Sequence, residues 1–346
     1  MKKLPVTRYY GSKRKIILDI WNLIEQEKIQ FDSVLDLFGG TGTFAYKAKL
    51  EGKQVIYNDI FKFNYLFGKA LLQNNTTKLT QKDVNFLITK QHGIDYKYYV
   101  KEHYKDIYFL DHENELIDII VQNISHLKSP YKRAMAFYAL SQTAIIKRPF
   151  NSFHRKNLSL RTRDVKRKFG NKTTWEKDLV NTFKVFCKDI NQYIISNGLK
   201  NKALNYQALK CQETADLIYI DPPYISERGY HLRYHERYHF LEALAHYDSF
   251  LDFINPNKKN KEVLINNSDE FENKHTIHTQ IDKLIKKYHD KVIVFSYRNL
   301  GIPSATELRK IFEKNNKSCK EYHLHNHFYA LNRSNDKLHE IVFILQ

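Results

Sequence analysis

Eight residues, Leu217-Ile218-Tyr219-Ile220-Asp221-Pro222-Pro223-Tyr224, constrain the fold more than any other stretch of this chain. Four apolar residues in a row suit a strand buried on both faces, as in a parallel sheet covered by helices. The two prolines then end that strand, since neither can donate to a ladder. At its carboxyl end they leave a carboxylate, a stiff backbone offering acceptors and almost no donors, and an aromatic ring. Open α/β sheets bind ligands at that edge. Such a corner suits a planar group that donates hydrogen bonds, for example an exocyclic amine.

The rest of the chain supplies a sheet for this strand. Residues 33–37 and 54–57 read as short buried strands, and between them 44–51 reads as a helix opening from a Gly-rich turn. This unit begins a doubly wound α/β sheet. Further parallel strands are expected at 216–220, 263–266 and 292–296, a closing strand at 340–345, and helices between them at 239–247 and 304–314. Residues 62–200 do not follow the alternation. They read as mainly helical, with amphipathic pieces near 113–127, 131–147 and 176–196, and hence as a domain inserted into a sheet domain made of 1–61 and 201–346.

Charge says what the insertion is for. The 346 residues carry 56 Lys+Arg against 38 Asp+Glu, a net charge of +18, and a polyanion is the direct partner for such a chain. Between Lys147 and Lys172 stand ten Lys or Arg and one acid, Asp164, interleaved with Phe150, Asn151, Phe153, His154 and Asn157. A solvated face mixes both signs, whereas a one-sign block with polar and aromatic readers suits a DNA groove. Lys147, Arg148, Arg155, Lys156, Arg161 and Arg163 are therefore candidate DNA contacts, joined by Arg228 and Arg233 beyond the prolines. His231, His235 and His239, spaced by four, could line a metal on one helix face. No Cys- or carboxylate-rich set accompanies them, so no metal is expected, and the stretch is read as an element closing on DNA phosphate. No apolar run reaches the roughly 20 residues that span a bilayer, and the start lacks a secretion signal. Cys187, Cys211 and Cys319 stand far apart, as in a reducing cytoplasm without structural disulfides.

The glycine turn Asp36-Leu-Phe-Gly-Gly-Thr-Gly-Thr-Phe-Ala45 also fits a dinucleotide fingerprint, with Asp59 after the next strand placed to grip ribose hydroxyls. Asp36 decides between ligands. At the head of the turn it would repel a pyrophosphate, but would attract the amino group or sulfonium of S-adenosylmethionine. Gly-Lys-Ser/Thr is absent, which disfavours nucleoside triphosphate hydrolysis.

Taken together, Asp36 to Gly42, Asp221-Pro-Pro-Tyr224 and the early segment Tyr9-Tyr10-Gly11-Ser12-Lys13 resemble the adenine-specific DNA N6-methyltransferases, in the group that contains the deoxyadenosine methylases. The resemblance covers roughly 1–60 and 205–346, and 62–200 lies where that group carries target recognition. Two positions depart: Ser12 replaces a second glycine, and Asn205-Tyr206 stands where the group commonly has an acid followed by an aromatic or apolar residue. The resemblance implies a Rossmann-like methyltransferase sheet and S-adenosylmethionine as cofactor. Tyr9, Tyr10, Gly11 and Lys13 would hold its amino-acid end, Lys13 by pairing with the carboxylate. Asp36, Phe38, Gly40 and Gly42 would shape the pocket around methionine, Asp59 would take the ribose hydroxyls, and Asn205 and Tyr206 would meet the adenine. Residues 296–309 would line the base pocket or touch DNA.

Chemistry follows from the same residues. The adenine N6 lone pair is delocalised, and acceptors aimed at its hydrogens favour the pyramidal form able to attack a methyl group. Asp221 and the Pro222 carbonyl are placed as those acceptors, Pro223 stiffens the turn, and Tyr224 would stack a base swung out of the duplex. The expected partner is double-stranded DNA, met by a monomer or by a dimer on DNA, in a restriction-modification system whose endonuclease acts separately. Adenine in RNA, N4 of cytosine, a non-catalytic DNA-binding subunit and a dinucleotide oxidoreductase are the rival readings. Asp221 leans toward adenine over cytosine, and Asp36 away from the oxidoreductase.

Overall fold

A computed structural model of the protein describes residues 4–6, 9–149, 152–163, 172–226, 233–263, 270–324 and 338–346. Its frame is a seven-stranded sheet: β1 (Ser33–Asp36), β2 (Gln54–Asn58), β3 (Lys202–Leu204), β4 (Leu217–Ile220), β6 (Val292–Arg298), β8 (Cys319–Leu324) and β9 (Glu340–Leu345). Two short strands, β5 (Ile225–Ser226) and β7 (Gly301–Ile302), pair with each other as a separate antiparallel ribbon. The order across the sheet is β3-β2-β1-β4-β6-β9-β8. The first five strands in that order run parallel, β9 adds antiparallel to β6, and β8 adds antiparallel to β9.

The chain leaves β1 toward β2 and β3 on one side and returns as β4 on the other. The gap at the carboxyl ends of β1 and β4 is thus the switch point where such sheets hold ligands. Asp36 pairs in register with Tyr219, so Asp36 and Asp221 emerge side by side at that gap. β9 runs the opposite way, which brings its first residue, Glu340, to the same edge opposite Arg298 of β6.

The expected strands over 33–37, 54–57, 216–220, 292–296 and 340–345 all form within a residue or two of those bounds. Over 263–266 only Val263 lies among the described residues, as an isolated antiparallel bridge to Ile254. β3 has three residues and β8 is a half-exposed edge strand, so neither carried the apolar run that marks a buried one.

Between β2 and β3 the described chain is helical, the longest pieces being Asp111–Ser125, Pro130–Lys147 and Leu179–Gln192. Ser129 accepts from the Lys132 amide and Pro130 takes the first helical position, which starts the central helix cleanly. These helices share one apolar core with the sheet. Phe67 packs edge-on against Tyr138 at 4.9 Å, and the Tyr46 hydroxyl, from the helix after the glycine turn, donates to the Tyr193 carbonyl at 2.8 Å.

Candidate active site

The glycine turn is shaped by two different demands. Gly40 and Gly42 take positive φ, 51° and 70°, which a residue with a Cβ resists. Gly39 is needed for space instead. A Cβ there would press into the ring of buried Tyr57, whose other face lies against Gly68. The Tyr57 hydroxyl donates to the Gly40 carbonyl at 2.7 Å, so one ring sets the height of the whole turn. Asp59 fixes it from below: Oδ2 accepts from the Gly40 amide and Oδ1 from the Phe61 amide, both at 2.8 Å. Burial pushes the Asp59 carboxyl up to about 6, against the pull of those two amides.

Beside this turn the chain surrounds a cavity of about 410 Å³, a size suited to a nucleoside-bearing ligand. Tyr9, Tyr10, Gly11 and Lys13 line it from the amino-terminal segment. Asp36, Phe38, Gly40 and Asp59 line it from the sheet edge, and Tyr206, Asp221, Pro222, Pro223 and Tyr224 from the far side. Gly42 stands outside the wall, as the left-handed residue that starts the helix Thr43–Leu50. Asn205 does not reach the cavity either. Its side-chain amide donates to the Asp59 and Ile60 carbonyls at 2.8 and 2.9 Å, a backbone clamp where an adenine contact was expected.

Asp36 is almost fully buried; Oδ2 accepts a long bond from the Ala45 amide at 3.3 Å, and Oδ1 has no hydrogen-bond partner among the described residues. Burial, with Asp221 nearby adding repulsion, holds its carboxyl well above the usual carboxylate range. A buried acid with an unused oxygen in a residue that lines a cavity is a ready partner for a cation.

Next to Asp36, at the end of β4, lies a compact charged cluster. The buried Lys13 ammonium donates to Asp221 Oδ1 at 2.7 Å, stands 2.6 Å from Asp221 Oδ2 and 3.4 Å from Glu340 Oε1, and also donates to the Tyr224 hydroxyl. That hydroxyl lies 2.6 Å from Asp221 Oδ1 and 2.8 Å from Glu340 Oε1. The Ser296 hydroxyl donates to the same Glu340 oxygen at 2.5 Å. Burial raises the Asp221 carboxyl above its ordinary range, Lys13 pulls it down and Glu340 pushes it up again. Burial would lower Lys13, but the two acids beside it hold it above its usual value. Lys13 was expected to point at a ligand carboxylate; here it rests on Asp221. The Tyr224 ring carries Lys13 4.8 Å from its centre and meets Tyr297 edge-on at 5.2 Å.

Tyr9 stacks on Tyr238 at 4.4 Å and on Tyr234 at 5.7 Å, both on the helix Tyr234–Ala245. The same helix carries Arg237, which lies over the Tyr10 ring and accepts at its carbonyl from the Phe153 amide. The cavity wall is thereby joined to the basic segment.

That segment is not the uniform phosphate-binding block its composition suggested. Lys147 and Arg161 are withdrawn from solvent by one acid, Glu113, at 2.8 and 2.6 Å. Arg148 is buried with its guanidinium over the Phe153 ring. The cause is burial at a helix–helix junction, where an unpaired charge would be too costly. Arg155, Lys156 and Arg163 remain exposed, and so does Arg233, paired with Glu236. Arg228 lies outside the described residues, as do Phe150, Asn151, His231 and Lys166 to Lys168. His239 is a core residue that meets the Phe153 carbonyl and the Tyr108 hydroxyl, and burial drops it to about 4. His235 faces Glu272 at 3.2 Å. With Glu236 and Glu262 it forms a half-buried group whose ligand atoms lie within 4.8 Å of one another.

Sequence reasoning missed Gly39, Tyr57 and Glu340. The first was signalled only by its adjacency to Gly40. Nothing local marks the other two, which matter through partners distant in the chain.

Comparison with known proteins agrees with this geometry. Residues 9–311 match the model of the D12 class N6 adenine-specific DNA methyltransferases. The chain is 27% identical to the Type II methyltransferase M2.HphI of Haemophilus parahaemolyticus, over 99% of this chain and 98% of that protein. It is 25% identical to the Type II methyltransferase M.NlaIII of Neisseria lactamica, over 88% and 87% respectively. It is also 25% identical to M.FokI of Planomicrobium okeanokoites, where 98% of this chain spans 52% of the relative.

Proposed function

The chain belongs to the D12 class N6 adenine-specific DNA methyltransferases, and from that premise we propose that it methylates adenine within a specific duplex sequence, with S-adenosylmethionine as donor, as the modification enzyme of a restriction-modification system. The Type II character of its relatives supports that setting. They favour DNA over the RNA reading. The observation that carries the site assignment is the cavity at the ends of β1 and β4, lined by Asp36, which has an unused oxygen, together with Asp221 and Tyr224.

S-adenosylmethionine, when bound, supplies an electrophilic methyl group. Asp36 would hold its cationic end, Asp59 with its remaining lone pairs its ribose hydroxyls, and Tyr9 and Tyr10 its flank. Asp221 and the Pro222 carbonyl accept hydrogen bonds from the target N6 amine and so localise its lone pair. Tyr224 stacks the base, which repays part of the few kcal/mol of extracting it from the duplex. The Asp221 corner would also take up the proton that the amine loses on methylation. Positioning and electrostatics supply the rate. Residues 62–200 act as the recognition domain, and exposed Arg155, Lys156, Arg163 and Arg233 contact phosphate.

Modification-sensitive sequencing of DNA from cells expressing the protein tests this, with the Asp221→Ala variant run in parallel. N6-methyladenine at one sequence context, absent in the variant, is the expected result. Undiminished methylation by Asp221→Ala would overturn the assignment.

A further inference from the structure

Both oxygens of Asp221 are engaged in this structure. Its Oδ1 receives Lys13 and lies against the Tyr224 hydroxyl, and Oδ2 stands 2.6 Å from the same ammonium. A target amine that takes this carboxylate as acceptor competes with both. Neither donor can simply be released. A buried ammonium without a counter-ion is strongly disfavoured, and a buried phenol without an acceptor costs about 1–3 kcal/mol.

Glu340 offers both of them a second home. Its Oε1 lies 2.8 Å from the Tyr224 hydroxyl and 3.4 Å from Lys13 Nζ, and it is held in place by Ser296 at 2.5 Å. The tyrosine has one proton and lies between two carboxylates, so it serves one of them at a time. Rotating that proton toward Glu340 and shifting the ammonium toward the same oxygen opens acceptor capacity on Asp221 without stranding any group.

We propose that Glu340 is a positioning residue for methyl transfer: it is the alternate acceptor that takes Lys13 and Tyr224 so that Asp221 can engage the target amine. This rests on the reading of Asp221 as the amine's acceptor. Glu340 is not among the residues lining the cavity, so its action passes through Lys13 and Tyr224. The charge is what matters, since a neutral amide could still accept from Tyr224 but would leave Lys13 bound to Asp221 alone.

Two substitutions separate charge from shape. Glu340→Gln keeps the size and an acceptor but removes the charge; Glu340→Asp keeps the charge and shortens the reach. Steady-state kinetics on duplex DNA should give Glu340→Gln a kcat lower by on the order of 10- to 100-fold, as for a lost charged hydrogen bond. Glu340→Asp should retain more activity than Glu340→Gln, and the KM for the methyl donor should change by less than about twofold in both. NMR titration of the Asp221 carboxyl carbon in the enzyme without donor gives an independent readout. Its midpoint should fall in Glu340→Gln, because a neighbouring like charge has gone. A Glu340→Gln enzyme with native kcat, or one more active than Glu340→Asp, or an unmoved Asp221 midpoint, would overturn the inference. If Glu340→Gln does not fold, Glu340→Asp alone decides, since loss of more than about 90% of kcat there contradicts the role. Undiminished turnover by Asp221→Ala would instead sink the underlying reading of the site, so the two failures are distinguishable.

Discussion

Replacing Gly39 by alanine tests whether the turn is set by a ring behind it or by its own dihedrals. The added Cβ would approach three atoms of the Tyr57 ring, with Cζ at 2.6 Å, far inside van der Waals contact. The ring cannot retreat, because a Cβ at Gly68 on its other face would meet Cε1 at 2.6 Å. Its hydroxyl is also tied to the Gly40 carbonyl at 2.7 Å and the Asn64 carbonyl at 3.2 Å. Gly39 has no positive φ, so alanine there would gain about 0.4–1 kcal/mol from the unfolded state. Overpacking of this kind costs about 1–3 kcal/mol and outweighs that gain. The turn is the part that yields, and Gly40 moves with it, loosening the amide bonded to Asp59.

Gly39→Ala should therefore lower unfolding stability by about 1–2 kcal/mol in urea titrations. Donor affinity measured by calorimetry should fall at least tenfold, about 1.4 kcal/mol. The decisive comparison is a double-mutant cycle with Tyr57→Ala, which by itself should cost about 3–5 kcal/mol. In that background the clash is gone, and Gly39→Ala should cost nothing. Equal costs of Gly39→Ala in both backgrounds, or native donor affinity in the single variant, would refute the packing argument.

Four further outcomes follow from the charges and the buried histidine. Glu113→Ala strands Lys147 and Arg161, and should lower stability by about 3–5 kcal/mol in denaturant unfolding. Arg155→Gln and Lys156→Gln should instead leave stability within about 0.5 kcal/mol. Each should weaken DNA binding and reduce the slope of log affinity against log salt by about 0.9, which titrations at several salt concentrations would measure. His239 is held near 4 in the folded state, below its ordinary 6.5, so the unfolded chain binds more protons between those values. Its contribution is intact above about pH 6.5 and is lost as pH falls toward 4, by up to about 3 kcal/mol. The difference between native protein and His239→Gln should shrink over that window, and a constant difference would count against a neutral buried imidazole. Asp36 holds its proton well above the ordinary range, so its attraction for a cationic donor weakens on acidification. Donor dissociation constants should rise on acidification in the native enzyme, and Asp36→Asn should bind weakly with that dependence lost.

What the sequence revealed and what it hid divide by the range of the interactions involved. Asp221-Pro-Pro-Tyr224 and Gly40 to Gly42 announce themselves because strand ends and tight turns are decided by neighbours in the chain. The basic block misled for the converse reason. From Lys147 to Lys172 a local window shows one sign of charge, yet the acid that neutralises Lys147 and Arg161 is Glu113, on the preceding long helix. A count of charges cannot separate a phosphate ligand from half of a buried pair; only the partner's position can. Glu340 is the same lesson at the catalytic corner. In sequence it opens an apolar strand, where it reads as a boundary residue. In the fold, the antiparallel return of β9 carries it to the edge where β4 delivers Asp221. Two acids from opposite ends of the sheet domain then share one lysine and one tyrosine, and the freedom of those two donors to change partners is what leaves an acceptor open for an incoming amine.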